Sequence, residues 1–349
     1  MAYYDGTKLL SLQDINGNKP EVYMVTSNRT GGKTTYFNRL VVNRFLKKNE
    51  KFCLLYRFNY ELDECADKFF KDIHGLFFNE YSMKSKTKAK GKYAELYIQG
   101  IYEQSARSCG YAVALNDADA IKKLSHLLSD VKVILFDEFQ SESNHYCDNE
   151  IEKFISIHTS LARGQGEQIR YLPVYMMGNP VSIINPYYTI LNISSRLKKD
   201  TKFLRGDGFV LEQGYNESAS NVQKLSGFNR AFGESKYIDY AGEGIYLNDN
   251  DAFIEKMTGV NRYLCTLKYD DKFYSLKEYS QDGIIYCDDS FDTSFPSKIS
   301  VTTNDHNINY VMLKRNELFI ANMRYLFERG CFRFKNLNCK ECAMRLISY

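Results

Sequence analysis

The feature that most constrains the fold is a short glycine-containing segment between an apolar run and a helical stretch. Residues 22–26 are apolar and typical of a buried strand, and residues 34–45 have the spacing of a helix. The eight residues at this junction are Ser27, Asn28, Arg29, Thr30, Gly31, Gly32, Lys33 and Thr34. A glycine-containing turn at a helix N-terminus directs backbone N–H groups at phosphate, a following lysine reaches the terminal phosphates, and a hydroxyl can ligate Mg²⁺. The segment therefore predicts a phosphate-binding loop (P-loop), with Ser27 where the pattern usually has its first glycine.

The first 200 residues alternate short apolar runs with stretches of helical spacing. The runs that predict strands are residues 22–26, 52–57, 131–136 and 171–177, and the helical stretches are residues 34–45, 62–70, 118–128 and 150–161. This alternation predicts an α/β domain with a mainly parallel sheet, because parallel strands are joined by helical crossovers. The apolar central runs indicate strands that are buried on both faces.

An acidic pair follows one of these strands. The run 131–136 leads directly into Asp137 and Glu138. Taken alone, the pair also fits an acidic turn after a core strand. With a P-loop upstream in the same domain, it has the Walker B arrangement, in which Asp137 would hold Mg²⁺ and Glu138 would polarise the water that attacks ATP. The two segments together predict an ATPase.

Two polar residues farther along the chain are candidates for the same site. Arg163 follows the helical stretch 150–161, where an arginine could reach the γ-phosphate of a neighbouring subunit and stabilise transition-state charge. Position alone leaves a solvated turn arginine equally open. Asn179 follows the run 171–177, where its amide could sense the phosphate or the attacking water, and a plain strand-ending turn fits as well.

A run of lysines at every second position is the main candidate for contact with DNA. It contains Lys84, Lys86, Lys88, Lys90 and Lys92. In a β-ribbon all five ammonium groups would project from one face and could follow a phosphate backbone. In a loose loop they would only keep the segment solvated, and the sequence leaves both interpretations open.

Composition limits the classes of protein to which the chain can belong. The 349 residues carry a formal net charge of +3, which excludes a polybasic protein that coats nucleic acid by net charge alone. The sequence has no apolar run of about 18 residues and no signal-peptide pattern, so we expect a protein without a membrane segment that acts in a cytoplasm. The nine cysteines predict reduced thiols, and only Cys339 and Cys342 have metal-ligand spacing.

The chain changes character after residue 200. Residues 201–228 are rich in glycine, asparagine, serine and charge, and we predict a linker there. It would join an N-terminal ATPase domain, residues 1–200, to a C-terminal domain, residues 229–349. Within the C-terminal domain, short β-like segments at 263–268, 273–279 and 283–288 precede a helical stretch at 313–328. This pattern predicts a small α+β domain.

Four segments of the chain together resemble a known family. They are VYMVTSNRTGGKTT, FCLLYRFNYEL, VKVILFDEF and MMGNPVSIINPYY. They are similar to the φ29-like DNA-packaging (encapsidation) ATPases of small tailed phages, which are related to terminase large subunits. The resemblance implies a P-loop NTPase of the additional-strand, catalytic-glutamate class that forms a ring and threads double-stranded DNA into a procapsid.

The resemblance also implies roles for particular residues. Lys33 and Thr34 would hold phosphate and Mg²⁺, and Asp137 and Glu138 would be the Walker B pair. Arg163 falls where the family carries an arginine that acts on the neighbouring subunit. Arg29 and Arg57 also fall on family arginines.

The resemblance further implies cofactors, partners and a location. These are ATP and Mg²⁺, double-stranded DNA, a homo-oligomeric ring with five subunits, a procapsid portal, and the cytoplasm of a host bacterium, with an RNA adaptor left open. The C-terminal domain would be a reduced RNase H-like fold, and we expect a vestigial docking domain. Asp270, Asp271, Asp288, Asp289 and Asp292 would be the candidate ligands of a working nuclease. The alternatives are therefore a terminase-type motor with an active nuclease, or a P-loop ATPase that acts on a protein partner without DNA.

Overall fold

The computed structural model describes residues 4–29, 31–142, 145–163, 168–182, 185–193, 196–197, 201–214, 220, 226, 253–314 and 317–348. The chain forms two compact units. The first consists of Met1–Tyr187 and Leu197–Leu247, and the second of Tyr188–Arg196 and Asn248–Tyr349. Each unit has a sheet and a core of its own.

The first unit alternates helices and strands. Its helices are α1 (Thr7–Ser11), α2 (Lys33–Lys48), α3 (Cys65–Phe77), α4 (Ala118–Leu124) and α5 (Glu150–Leu161), and α6 (Pro186–Ile190) runs from its end into the second unit. Its strands are β1 (Val22–Thr26), β2 (Lys51–Tyr56), β3 (Tyr81–Lys88), β4 (Tyr93–Gly100), β5 (Arg107–Ala114), β6 (Val131–Phe136), β7 (Val174–Gly178), β8 (Phe203–Gly206) and β9 (Phe209–Gln213).

These strands form one large sheet of nine strands within the described residues. Their order is β3-β4-β5-β2-β6-β7-β1-β9-β8. The six central strands β5, β2, β6, β7, β1 and β9 are parallel. Antiparallel pairs lie at both ends of this order. Strand β7 lies between β1 and β6, with Thr26 opposite Gly178 and Phe136 opposite Met176. The residues that follow these three strands therefore meet at the carboxyl ends of the parallel strands, which are called the sheet edge of the site below.

Apolar packing fixes helix α2 against this sheet. Its buried residues Phe37, Val41, Val42 and Phe45 lie in the same core cluster as the residues of β1, β2 and β7 that point to that side. Full burial of such side chains stabilises a fold by roughly 1.5–3 kcal/mol each. Because α2 begins at Lys33, this packing also fixes the position of that lysine.

The predicted elements agree with much of this unit. The strands 22–26 and 131–136 and the helix 150–161 have the predicted bounds, and the other predicted elements are displaced or extended by a few residues. Strands β4 and β5 had no counterpart in the prediction. The neighbouring β3 has only one buried position, Met83, so its hydrophobic alternation is weak. It is held as a strand mainly by eight paired positions along β4.

The linker predicted at 201–228 is wrong for its first part. Strand β9 pairs in parallel with β1, and β8 pairs with β9 at the edge of the large sheet. The apolar residues Phe209, Val210 and Leu211 are buried there, and this burial outweighs the glycine and charge content of the surrounding segment. Except for Ser220 and Ser226, residues 215–228 lie outside the described residues, as does the predicted start of the C-terminal domain at 229.

The second unit is α+β, as predicted. Its elements are β10 (Arg262–Tyr269), β11 (Lys272–Tyr279), β12 (Ile284–Asp288), β13 (Lys298–Ser300), β14 (Val311–Met312), α7 (Leu318–Glu328), β15 (Phe332–Phe334) and α8 (Leu337–Ser348). The sheet has the order β14-β13-β10-β11-β12-β15. Residues of both helices pack in its core, and Cys339 and Cys342 of α8 are buried there as free thiols. No helix among the described residues of the chain is long and apolar enough to cross a membrane.

Candidate active site

The glycine-containing segment lies between β1 and α2, as the sequence predicts. Gly32 is the N-cap of α2 and has a φ of 87°, a left-handed conformation that glycine adopts without strain. Ser27 and Asn28 are buried, and the Ser27 N–H faces the carbonyl of Gly178 at the end of β7. The segment thus lies at the carboxyl ends of β1 and β7 and leads directly into the N-terminus of α2. Thr30, also predicted to contact nucleotide, lies outside the described residues.

Lys33 is a buried cation at the start of α2. Its side chain is only 6% exposed, and its Nζ donates hydrogen bonds to Asn179 Oδ1 at 2.8 Å and to the Ser27 carbonyl at 3.2 Å. Burial lowers the pKa of Lys33 to about 8, with Asp137 opposing this effect and Arg29 adding to it. The ammonium therefore has few compensating charges, which favours binding of an anion.

Asp137 and Glu138 follow β6 at the same sheet edge. Both side chains are open to solvent on one side and surrounded by protein atoms on the others. This desolvation raises the pKa of both carboxyl groups. At Asp137 the rise is opposed by Lys33 and by a hydrogen bond with the Thr34 side chain. At Glu138 it is increased by the charges of Asp137 and Glu142.

The oxygen atoms at this position suit a magnesium ion. The Asp137 carboxylate and the Thr34 side chain are adjacent, since they share a hydrogen bond. Mg²⁺ prefers oxygen ligands and is usually held by one or two protein groups together with substrate phosphates. The buried Lys33 beside them has the charge that phosphate requires. The residues present therefore fit ATP with Mg²⁺.

A cleft of about 260 Å³ opens beside these residues. Its lining consists of Arg29, Arg57, Glu138, Gln140, Ser141, Glu142 and Asn179. Arg29 forms an ion pair with Glu142 across it. The cleft is thus rich in charge and joins the predicted catalytic carboxylate to residues of the glycine-containing segment.

Gln140 is a component of the site that sequence reasoning missed. It is 2% exposed, and its Oε1 accepts hydrogen bonds from the backbone N–H groups of Val181 and Ser182, both at 3.0 Å. These bonds tie the segment after β6 to the segment after β7, which carries Asn179. Nothing in the sequence distinguishes Gln140 from an exposed polar residue, because the partners are backbone atoms 41 and 42 positions away.

Arg163 lies just beyond the end of α5. It is exposed, as are Gln168 and Ile169, while residues 164–167 lie outside the described part of the chain. Its exposure is compatible both with a role toward a neighbouring subunit and with a solvated turn arginine. The structure does not bring Arg163 into the cleft lining.

The lysine run forms a β-ribbon only in part. Lys84, Lys86 and Lys88 alternate along β3 and share one face, whereas Lys90, with a φ of 57°, and Lys92 lie in the turn after it. Lys88 lies 3.6 Å from Glu95, and Lys92 forms a 2.7 Å ion pair with Asp117. Three of the five lysines therefore share one face of a strand, and the other two do not, because the hairpin turns at 89–92. Lys84, Lys86 and Lys90 are the exposed members.

Comparison with known proteins places the whole chain in one family. A family model described as Podovirus DNA encapsidation protein (Gp16) matches residues 1–348. The chain belongs to this family. The DNA packaging protein of Bacillus phage phi29 is 24% identical over 348 residues, which cover 99% of this chain and 96% of that protein. The DNA packaging protein of Bacillus phage B103 is 23% identical over 324 residues, covering 91% and 92%.

Two experimental structures show that the encapsidation-family fold extends over the chain. The bacteriophage Phi-29 viral genome packaging motor assembly contains a chain with a TM-score of 0.67 and 22% identity, covering 99% of this chain and 97% of that one. The Phi-28 gp11 DNA packaging motor gives a TM-score of 0.59 and 16% identity, with coverage of 99% and 98%. At these identities the similarity concerns the fold.

Proposed function

We propose that this protein is the ATP-driven motor subunit that packages double-stranded DNA into a phage procapsid. The observation that carries the proposal is the arrangement at the sheet edge. A buried lysine after β1, an asparagine after β7 and two carboxylates after β6 converge there, in a chain of the DNA encapsidation family. Strand β7 between β1 and β6 is the position of the extra strand in the additional-strand class of P-loop NTPases, which supports that assignment.

The proposed chemistry assigns one task to each residue. Backbone N–H groups of the glycine-containing segment and the Lys33 ammonium would bind the phosphates of ATP, and Thr34 and Asp137 would hold Mg²⁺, which stabilises charge on the phosphates when bound. Glu138 orients the attacking water and accepts its proton. Burial and the charges of Asp137 and Glu142 raise its pKa, which makes the carboxylate a stronger base.

Assembly is the second part of the proposal. In a homo-oligomeric ring, which the family resemblance puts at five subunits, the exposed Arg163 would reach the γ-phosphate bound by the next subunit. The ring would dock on a procapsid portal in the cytoplasm of the host bacterium, with an RNA adaptor left open. DNA would pass along phosphate contacts that include the exposed Lys84, Lys86 and Lys90.

For the second unit we propose a docking domain that resembles a reduced RNase H-like nuclease. Within the described residues, no group of three or more histidine, cysteine, aspartate or glutamate side chains could hold a metal ion. Asp288 instead forms ion pairs with Lys277 at 2.6 Å and Lys335 at 3.1 Å, and these cations lower its pKa against the effect of burial. Asp289 also pairs with Lys335. Lysines in these positions oppose a two-metal nuclease mechanism.

The test is ATP turnover by the full chain with and without double-stranded DNA, beside a nicking assay in Mn²⁺. We expect ATP hydrolysis that DNA stimulates and no cleavage. An ATP turnover rate that is the same with and without DNA would favour an ATPase that acts on a protein partner. Cleavage that disappears in Asp288→Asn would favour the nuclease alternative, and an Asp282→Asn variant, changed at a turn outside the ion-pair network, is its control.

A further inference from the structure

We infer that Arg57 is a positioning residue that fixes the backbone carrying Glu138, and that it does not bind phosphate. The inference rests on the proposed ATPase function and assigns the way in which its catalytic carboxylate is held. Arg57 directly follows β2, the neighbour of β6 in the sheet. Leu55 of β2 is opposite Phe136 of β6, so Arg57 lies level with Glu138 at the sheet edge.

The Arg57 guanidinium is committed to four hydrogen bonds with protein atoms. It donates to the backbone carbonyl of Phe139 at 2.9 Å and to that of Glu138 at 3.3 Å. Its other bonds go to the two carboxylate oxygens of Glu150, at 2.9 and 3.1 Å. Arg57 is 8% exposed. A guanidinium used in this way has little capacity left for an incoming phosphate.

Glu150, the first residue of α5, is itself fixed in the core. It is 3% exposed and accepts hydrogen bonds from the Tyr187 hydroxyl and from the Cys147 N–H, both at 2.8 Å. A bidentate pair with this many partners holds the guanidinium in one orientation. Through this network, Arg57 fixes the positions of the Glu138 and Phe139 carbonyl groups relative to α5.

The backbone at Glu138 requires such a constraint. Its φ is 53°, a left-handed conformation that costs a residue with a β-carbon about 1–2 kcal/mol. Its N–H bonds to the neighbouring Asp137 carboxylate at 3.0 Å, and its carbonyl bonds to Arg57. Strained residues of this kind persist only where the surroundings hold them. Loss of the Arg57 bonds would let the segment relax and move the Glu138 carboxylate.

The experiment compares Arg57→Lys with the wild-type full chain and with Arg44→Lys. Arg44 also pairs with a glutamate, Glu50, but lies away from the cleft, so it is the matched control. We measure kcat, the Kd of a non-hydrolysable ATP analogue, and thermal stability. We expect Arg57→Lys to lower kcat about 100-fold, the effect of a displacement of ~1 Å, and to change Kd less than about threefold. Arg44→Lys should leave both near wild type.

Several outcomes separate the possible roles. A large loss of ATP-analogue affinity with kcat preserved would make Arg57 a phosphate ligand, and an unchanged kcat in a folded Arg57→Lys protein would also overturn the inference. If that variant does not fold, Tyr187→Phe is used in its place, because it removes only one hydrogen bond to Glu150. A severalfold lower kcat at unchanged Kd then supports the inference, and an unchanged kcat refutes it. A wild-type protein without ATP turnover would refute the proposed function, whereas turnover insensitive to these variants refutes only the role of Arg57.

Discussion

Lys33 Nζ donates a 2.8 Å hydrogen bond to Asn179 Oδ1, 146 positions farther along the chain. The bond joins the start of α2 to the end of β7 and gives the buried ammonium a neutral partner instead of a carboxylate. A neutral partner holds the lysine in place without neutralising its charge. The nearby Asp137 and Glu138 stabilise that charge, but burial outweighs them and lowers the pKa of Lys33. An arriving phosphate can therefore take the ammonium without first breaking an ion pair.

The pH dependence of ATP binding should report this environment. Burial lowers the pKa of Lys33 to about 8, so the empty protein loses this positive charge as the pH rises through that value. Binding then requires uptake of a proton, and the Kd for ATP should rise by up to about tenfold per pH unit above the pKa. Calorimetric titrations between about pH 7 and 9.5 measure it. In Lys33→Arg the guanidinium does not titrate, so its profile should stay flat over that range; a flat wild-type profile would contradict the prediction.

Substitution of Glu138 should separate binding from hydrolysis. Glu138→Gln keeps the shape of the side chain but cannot accept a proton, so we expect kcat to fall by roughly 10²–10⁴-fold while the Kd for ATP stays within about threefold. Glu142→Gln is the matched control, because Glu142 lines the same cleft and pairs with Arg29. Single-turnover kinetics and equilibrium binding measure the two effects. Wild-type turnover by Glu138→Gln would remove Glu138 from the mechanism.

Gln140 should stabilise the segment that carries Asn179. Gln140→Met keeps the volume but removes the side-chain acceptor of the Val181 and Ser182 N–H groups, of which Val181 retains a 2.9 Å hydrogen bond to the Asn179 carbonyl. A hydrogen bond of this kind contributes about 0.5–1.5 kcal/mol to stability. We expect faster hydrogen exchange at Val181 and Ser182 and weaker ATP binding, because Asn179 loses its support. Exchange followed by mass spectrometry locates the effect, and the exposed Gln168→Met is the control. Unchanged exchange at Val181 and Ser182 would refute this role.

Local pattern was enough to predict the sheet edge where the candidate site lies. The apolar runs before Ser27 and Asp137 are buried on both faces, so their strands and the residues that follow them were predictable. The partners of those residues were not, because Gln140 and Arg57 act through backbone carbonyl and N–H groups that have no sequence signature. The assignment of 203–213 to a linker failed for a related reason. Strand β9 is defined by pairing with β1, where Phe209 is opposite Val22, and β8 is defined by pairing with β9.

Arg163 should act on the neighbouring subunit. It is exposed beyond the end of α5 and is absent from the lining of the cleft in its own chain. Arg163→Ala and Glu138→Gln should each abolish most turnover when present in every subunit. Mixed rings should recover part of it where an intact Glu138 meets an intact Arg163. The recovery is measured as the ATPase rate at a series of mixing ratios. In the control, Arg205→Ala subunits replace the Arg163→Ala subunits in the mixture. If mixed rings are shown to form and no activity is recovered, Arg163 has no role in the mechanism.

The exposed lysines of the hairpin should bind DNA phosphates without reading bases. A net charge of +3 gives the protein little general attraction for DNA, so its grip must be local. The triple change of Lys84, Lys86 and Lys90 to glutamine should weaken binding to all duplexes alike and reduce the log–log salt slope by about 0.9 for each phosphate that is no longer neutralised. The control replaces Lys47, Lys48 and Lys71, which are equally charged and exposed but lie on helices α2 and α3. Equal salt slopes in the two triple variants would show that the hairpin lysines only solvate the turn, because a lower overall charge alone would affect both proteins in the same way.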